Sequence, residues 1–212
     1  MHAIKSLLTI KHLGIQPYLP ILKAMQDFTA TRNEQTKDEL WLLEHERVFT
    51  LGQAGKAKHI IDAHDIPVVK TDRGGQVTYH AMGQLVAYCL FDIKRLQLNS
   101  RQFVCNLEQV VINLLADFNI KAHGDRHAPG VYVNDKKIAA LGLRLRKGYN
   151  YHGLCFNVSV DLTPFTYINP CGVKNQPVTS LQDLGLHISM HEIQERLTKN
   201  IRHTFYQSNA IE

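Results

Sequence analysis

The stretch from Gly130 to Val160 constrains the fold more than any other part of the chain. Three runs there read as strands: Gly130 to Val133, Lys137 to Arg146 and Tyr151 to Val160. Between them stand only short turn-forming stretches, Asn134-Asp135 and Lys147-Gly148-Tyr149-Asn150. Connections this short join antiparallel neighbours, because a parallel pair would need a crossover of about a dozen residues. Further strands are predicted at Leu7 to Leu13, Glu39 to Glu46, Ile66 to Lys70 and Gln84 to Phe91. A helix is predicted after Pro17, where Tyr18, Ile21, Leu22, Met25 and Phe28 recur on one face. A second spans Ser100 to Phe118, with Phe103, Leu107, Val110, Val111, Leu114, Leu115 and Phe118 as its apolar stripe. Thr179-Ser180-Leu181-Gln182 and Ser189-Met190-His191-Glu192 both have capping-box spacing, and the second opens a helix striped by Ile193, Leu197, Ile201 and Phe205. Strands and helices mix without strict alternation, so the expected class is α+β, a mixed and mostly antiparallel sheet flanked by helices. No repeat or linker divides the chain, and residues 1–212 are taken as a single domain.

Composition excludes several classes. Hydrophobic residues make up 44% and charged ones 20%, the balance of a soluble globular protein. No apolar run approaches the roughly 18 to 20 residues of a membrane span. Met1 to Ser6 makes a poor signal peptide, so a cytoplasmic location is expected. Cys89, Cys105, Cys155 and Cys171 are irregularly spaced, which argues against a disulfide framework or a zinc ribbon. The net charge of +5 favours acidic partners. Without an aromatic-and-basic stripe, a nucleic-acid module is not expected.

Chemistry is then sought residue by residue. Arg73 to Gly83 reads as a glycine-containing loop between strands, with Arg73, Thr78, Tyr79 and His80 clustered on it; it matches neither familiar phosphate loop. Cys171 lies between Pro170 and Gly172, neighbours that suit neither strand nor helix interiors, so it is a loop thiol and a candidate nucleophile. Cys89, Cys105 and Cys155 read as structural. Lys137 opens a strand whose next positions include the small Ala139, Ala140 and Gly142; on residues alone it reads as an ordinary solvated lysine. His123 and His127, or His59 and His64 around Asp62, do not compose a specific metal site. A Cys171–His80 or Cys171–His152 pair would make a papain-like nucleophile, an alternative that sequence distance leaves open.

Together these segments resemble the lipoyl(octanoyl) transferases. Residues 73–86 (RGGQVTYHAMGQLV) are similar to that family's glycine-containing signature. Residues 128–133 (APGVYV), 137–142 (KIAALG), 152–158 (HGLCFNV) and 161–172 (DLTPFTYINPCG) follow in the family's order. The resemblance implies the fold of the biotin and lipoate protein ligases. It implies that Cys171 is the acyl-thioester nucleophile and that Lys137 lowers its pKa. It lines the acyl site with Arg73, Gly74, Gly75, Gln76, Val77, Thr78, Tyr79 and His80, together with Ala140, Leu141, Gly142, Gly153, Leu154 and Cys155. The implied reaction moves an octanoyl group from octanoyl-acyl carrier protein to a lysine of a lipoyl domain. The implied acceptors are 2-oxoacid dehydrogenases and the glycine cleavage H protein. The donor thioester drives both steps, so no cofactor, nucleotide or metal is expected. An ATP-dependent lipoate-protein ligase on the same fold is the alternative, disfavoured because it would not need a thiol at Cys171. Ala81-Met82 stand where the family commonly has Gly-Pro, and Cys155 where alanine is common.

Overall fold

The computed structural model describes residues 8–170 and 176–206. In chain order they form β1 (Leu8–Gln16), α1 (Tyr18–Thr31), β2 (Asp38–His45), β3 (Val48–Leu51), β4 (Val68–Lys70), β5 (Val77–His80) and β6 (Gln84–Leu90). There follow α2 (Ser100–Ala116), β7 (His123–Gly124), β8 (Gly130–Val133), β9 (Lys136–Arg146), β10 (Tyr149–Asn157) and α3 (Met190–Tyr206). Seven strands make one sheet in the order β1-β2-β6-β10-β9-β8-β7, and β4-β3-β5 make a smaller one. The short turns flanking β9 give antiparallel pairs on both of its sides, as expected. In the large sheet only β1 and β2 run parallel. Among the described residues no helix is long and apolar enough to cross a membrane.

Alternation along the strands divides the core. Leu85, Ala87 and Cys89 of β6, with Leu154 and Phe156 of β10, join the apolar stripes of α2 and α3 in one cluster. Their neighbours Val86, Tyr88 and Leu90, with Tyr151 and Cys155, pack instead beside Tyr18, Ile21, Leu22 and Met25 of α1. Central strand β6 is thus buried on both faces, which is why it reads as a nearly unbroken apolar run. A third cluster joins Phe49 and Leu51 of β3 to Val77 and Tyr79 of β5, with Val160, Phe165 and Ile168. The candidate site lies between this small sheet and the α1 face of the large one.

Helix α2 begins at a reciprocal capping box, in which Asn99 Oδ1 accepts from Gln102 N at 2.9 Å and Gln102 Oε1 from Asn99 N at 3.0 Å. At α3 the box is one-sided: Ser189 Oγ accepts from Glu192 N at 3.2 Å, while the Glu192 carboxylate pairs with Arg196. Thr179 to Gln182 opens no helix. Leu181 N and Gln182 N donate to Asn157 O and Val158 O, and Ser180 Oγ caps a single turn through Asp183 N. Strands β3 and β5 differ from the sequence expectation, in which residues 77–80 belong to a loop. Both are four residues long and interrupted by polar Thr50, Thr78 and His80, so long-range pairing rather than periodicity specifies them.

Candidate active site

A cavity partly open to solvent lies between the two sheets. Its floor follows the two-residue repeat of three adjacent strands: Gln84, Val86 and Tyr88 of β6, Asn157, Cys155 and Gly153 of β10, and Ala140 and Gly142 of β9. Gly75 to Thr78 and His80 form the opposite wall. Gly74 N donates to Leu143 O at 2.8 Å, which stitches that wall to β9. Leu141 and Leu154 also line the cavity, although their side chains pack towards the α2 and α3 core.

Lys137 is only 4% exposed. Its Nζ lies 3.4 Å from Pro129 O and 5.1 Å from the centre of the Tyr132 ring. Gly130 makes room for it, because a Cβ there would fall 3.0 Å from Lys137 Cε and 3.2 Å from Nζ. The Lys137 main chain holds the returning segment, with Lys137 N donating to Pro177 O at 2.9 Å and Thr179 N to Lys137 O at 3.0 Å. Pro170 and Val178 both line the cavity. Cys171 and Gly172 lie outside the described residues.

The polar groups of the wall form a network that fixes their protonation. Gln84 Nε2 donates to Tyr79 O and to Asn157 Oδ1, so its Oε1 is the acceptor for His80 Nδ1–H at 2.8 Å. His80 Nε2 then accepts from the Thr50 hydroxyl at 3.2 Å, and burial holds the ring's pKa well below its usual value. Both ring nitrogens are thus engaged by the protein, which is a poor arrangement for a general base. Arg73 is committed likewise, to Thr50, Gly74 O and Gln76 O. Through these bonds its guanidinium ties the 73–76 turn to β3.

His152 is different. Its Nε2–H donates to Asp72 Oδ1 at 2.8 Å, while its buried Nδ1 meets no partner among the described residues. Burial lowers the His152 pKa more than Asp72 raises it. For Asp72 itself burial works upward, but hydrogen bonds from His152, Tyr151 and Gln26 outweigh it and hold the carboxyl below the usual carboxylate range. His152 also has φ of 62° inside β10, a conformation unfavourable for a residue with a Cβ.

A family model, the lipoyl protein ligase A/B catalytic domain, matches residues 18–202. The chain belongs to this family. It is 52% identical to an octanoyltransferase of Chromobacterium violaceum over 91% of this chain and 93% of the relative. It is likewise 52% identical to an octanoyltransferase of Pseudomonas entomophila, over 94% and 93%. Among solved structures it is similar to a lipoate-protein ligase A bound with ATP, with a TM-score of 0.75 at 17% identity over 92% of this chain and 84% of that one. A biotin protein ligase from Aquifex aeolicus superimposes with a TM-score of 0.55 at 14% identity, covering 92% and 68%. The mixed sheet and its flanking helices are therefore the lipoate and biotin ligase fold.

Within this ligase-family fold the cavity gathers most of the residues singled out in the sequence. Lys137, Arg73, Gly75, Gln76, Val77, Thr78, His80, Ala140, Leu141, Gly142, Gly153, Leu154 and Cys155 all line it. Gly74 and Tyr79 do not: Gly74 faces Leu143, and Tyr79 packs against Phe49 and Phe165 in the third cluster. Ala81 and Met82 also lie off the cavity, Met82 being 58% exposed. Tyr18, Gln84, Val86, Tyr88, Asn157 and Phe165 were not anticipated. Alternation with Gly153 and Cys155 across the sheet was the available signal for Val86 and Tyr88. The Asp72–His152 pair spans 80 positions and left none.

Proposed function

We propose that the chain is an octanoyltransferase of protein lipoylation, with Cys171 as nucleophile and Lys137 as its activating cation. The observation that carries the proposal is Lys137: an almost fully buried lysine in the wall of an apolar cavity that Pro170, the residue bonded to Cys171, also lines. An unperturbed thiol near pKa 8.5 is only a few per cent thiolate at neutral pH, and a neighbouring ammonium favours the anion. The Cys171 thiolate attacks the octanoyl thioester of acyl carrier protein, and the carrier's thiol leaves as octanoyl-Cys171 forms. A lysine amine of the lipoyl domain then attacks that thioester, an amide forms, and the Cys171 thiol is regenerated. Lys137 serves as shuttle for the proton the amine gives up. Along β10 the floor from Asn157 to Gly153 runs about 13 Å, enough for an extended eight-carbon chain of about 9 Å.

The proposed partners are octanoyl-acyl carrier protein as donor and lipoyl domains as acceptors, including those of 2-oxoacid dehydrogenases and the glycine cleavage H protein. The net charge of +5 suits acidic carriers of this kind. We place the reaction in the cytoplasm; none of the described cysteines, Cys89, Cys105 and Cys155, forms a disulfide, as a reducing compartment requires. The ATP-dependent ligase is not favoured, because the relatives at 52% identity are octanoyltransferases while the solved ligases, at 17%, share the fold. Octanoyl transfer from acyl carrier protein to a lipoyl domain should run in EDTA without nucleotide. Strict dependence on ATP and magnesium would move the chain to the ligase class.

A further inference from the structure

Glu108 is a carboxylate on the buried stripe of α2, 8% exposed, between Leu107 and the apolar Val110 and Val111. Burial raises its pKa, while the Gly130 N–H and the charge of Lys137 favour its anion. Gly124 admits the group, since a Cβ there would lie 2.8 Å from Glu108 Oε2. A single peptide unit joins Glu108 to Lys137. The Pro129–Gly130 amide donates its N–H to Glu108 Oε1 at 2.9 Å, and its carbonyl oxygen lies 3.4 Å from Lys137 Nζ. Hydrogen bonds in series polarise one another, so an anion on the N–H makes the carbonyl a stronger acceptor.

We propose that Glu108 is a positioning residue for acyl transfer, acting through the Pro129–Gly130 peptide to hold the Lys137 ammonium in the cavity wall and keep it protonated. The inference rests on the Cys171–Lys137 reading above. Among the described residues, the groups facing Lys137 include Glu108 from α2, the ring of Tyr132 from β8, and Asp125, whose carboxylate accepts from His127 N at 2.8 Å. Of these, Glu108 alone bonds to the peptide beside Nζ.

Glu108→Gln keeps an oxygen for the Gly130 N–H and removes the charge. The alkaline limb of the kcat/KM–pH profile, where Lys137 loses its proton, should move down by about 1.5 pH units. That is the size expected for a unit charge about 8 Å away at an effective dielectric of about 20. Glu108→Asp, which retains the charge, should leave the limb near the parent's. An unmoved limb in folded Glu108→Gln overturns the proposal, because a packing role changes stability and not the limb. Should Glu108→Gln fail to fold, the unsubstituted protein gives the answer by NMR. The Gly130 amide resonance should shift as Lys137 titrates and lose that step in Lys137→Met; no such step in the parent overturns the proposal. Cys171→Ala separates the two levels. If it still transfers octanoyl, the underlying reading fails; if it is inert and the limb is unmoved, only this inference fails.

Discussion

Lowering the pH from 7 to 5 should destabilise the fold by about 2 kcal/mol through His45 alone. The side chain is fully buried, with Nδ1–H donating to Gln16 O at 2.9 Å and Nε2 accepting from the Tyr88 hydroxyl at 2.7 Å. The neutral ring is satisfied at both nitrogens, and a second ring proton would face a donor. Burial brings its pKa down from 6.5 to about 4, against a smaller upward pull from the Gln16 carbonyl. The unfolded ring takes up a proton below 6.5, whereas the folded ring does so only below about 4. Between those values the unfolded state binds more protons, so stability is full at neutral pH and falls with pH through that window. The whole interval is worth about 3 kcal/mol, of which about two-thirds is lost by pH 5. His80 and His152 are also held below their usual pKa by burial, so the contribution of His45 must be read as a difference. Urea denaturation of the parent and of His45→Gln at pH 7 and pH 5 supplies it. The variant should be less stable at pH 7 but lose about 2 kcal/mol less on acidification. Equal losses in the two proteins would refute the reasoning.

Two further perturbations test the loop and the site. In residues 81–84, Gln84 N donates to Ala81 O at 3.2 Å and Gly83 has φ of 86°, the signature of a type II turn with Met82 at its second position. Met82→Pro should therefore stabilise the protein by roughly 0.4–1 kcal/mol, raising Tm by about 1–4 °C. The pair Ala81→Gly and Met82→Pro should preserve turnover, since neither residue lines the cavity; a lower Tm for Met82→Pro would sink the turn assignment. Lys137→Met should keep the fold, because a buried cation gives way to an apolar chain of similar length. Its Cys171 thiol pKa should rise, and slow acylation should partly recover at alkaline pH. Lys137→Arg should acylate better than the methionine variant yet fail at transfer, because guanidinium does not release its proton in this range. Thiol alkylation rates against pH, with single-turnover transfer, check both.

What could be read from the sequence was local. The β8–β9–β10 meander, α2 and α3 announce themselves through short turns and regular apolar spacing, and β6 through its continuous apolar run. What was hidden depends on partners remote in sequence. Val77 to His80 becomes a strand only because Val48 to Leu51 pairs with it. Lys137 reads as a solvated lysine, and its burial follows from Gly130, Tyr132 and Pro129 closing over it. Arg73 is expected from the resemblance to line the acyl site, and nothing local announces that its guanidinium bonds Thr50, Gly74 and Gln76. Tyr18 and Tyr88 look like core aromatics in the sequence and belong both to the core and to the cavity wall.

The central claim is that the acyl group passes through Cys171. Intact mass spectrometry after incubation with octanoyl-acyl carrier protein, followed by peptide mapping, tests it most directly. The account predicts one octanoyl group per chain, located on Cys171, discharged on adding a lipoyl domain and absent from folded Cys171→Ala. An adduct mapped to Cys155 or any other residue, with Cys171→Ala still transferring octanoyl, would contradict it.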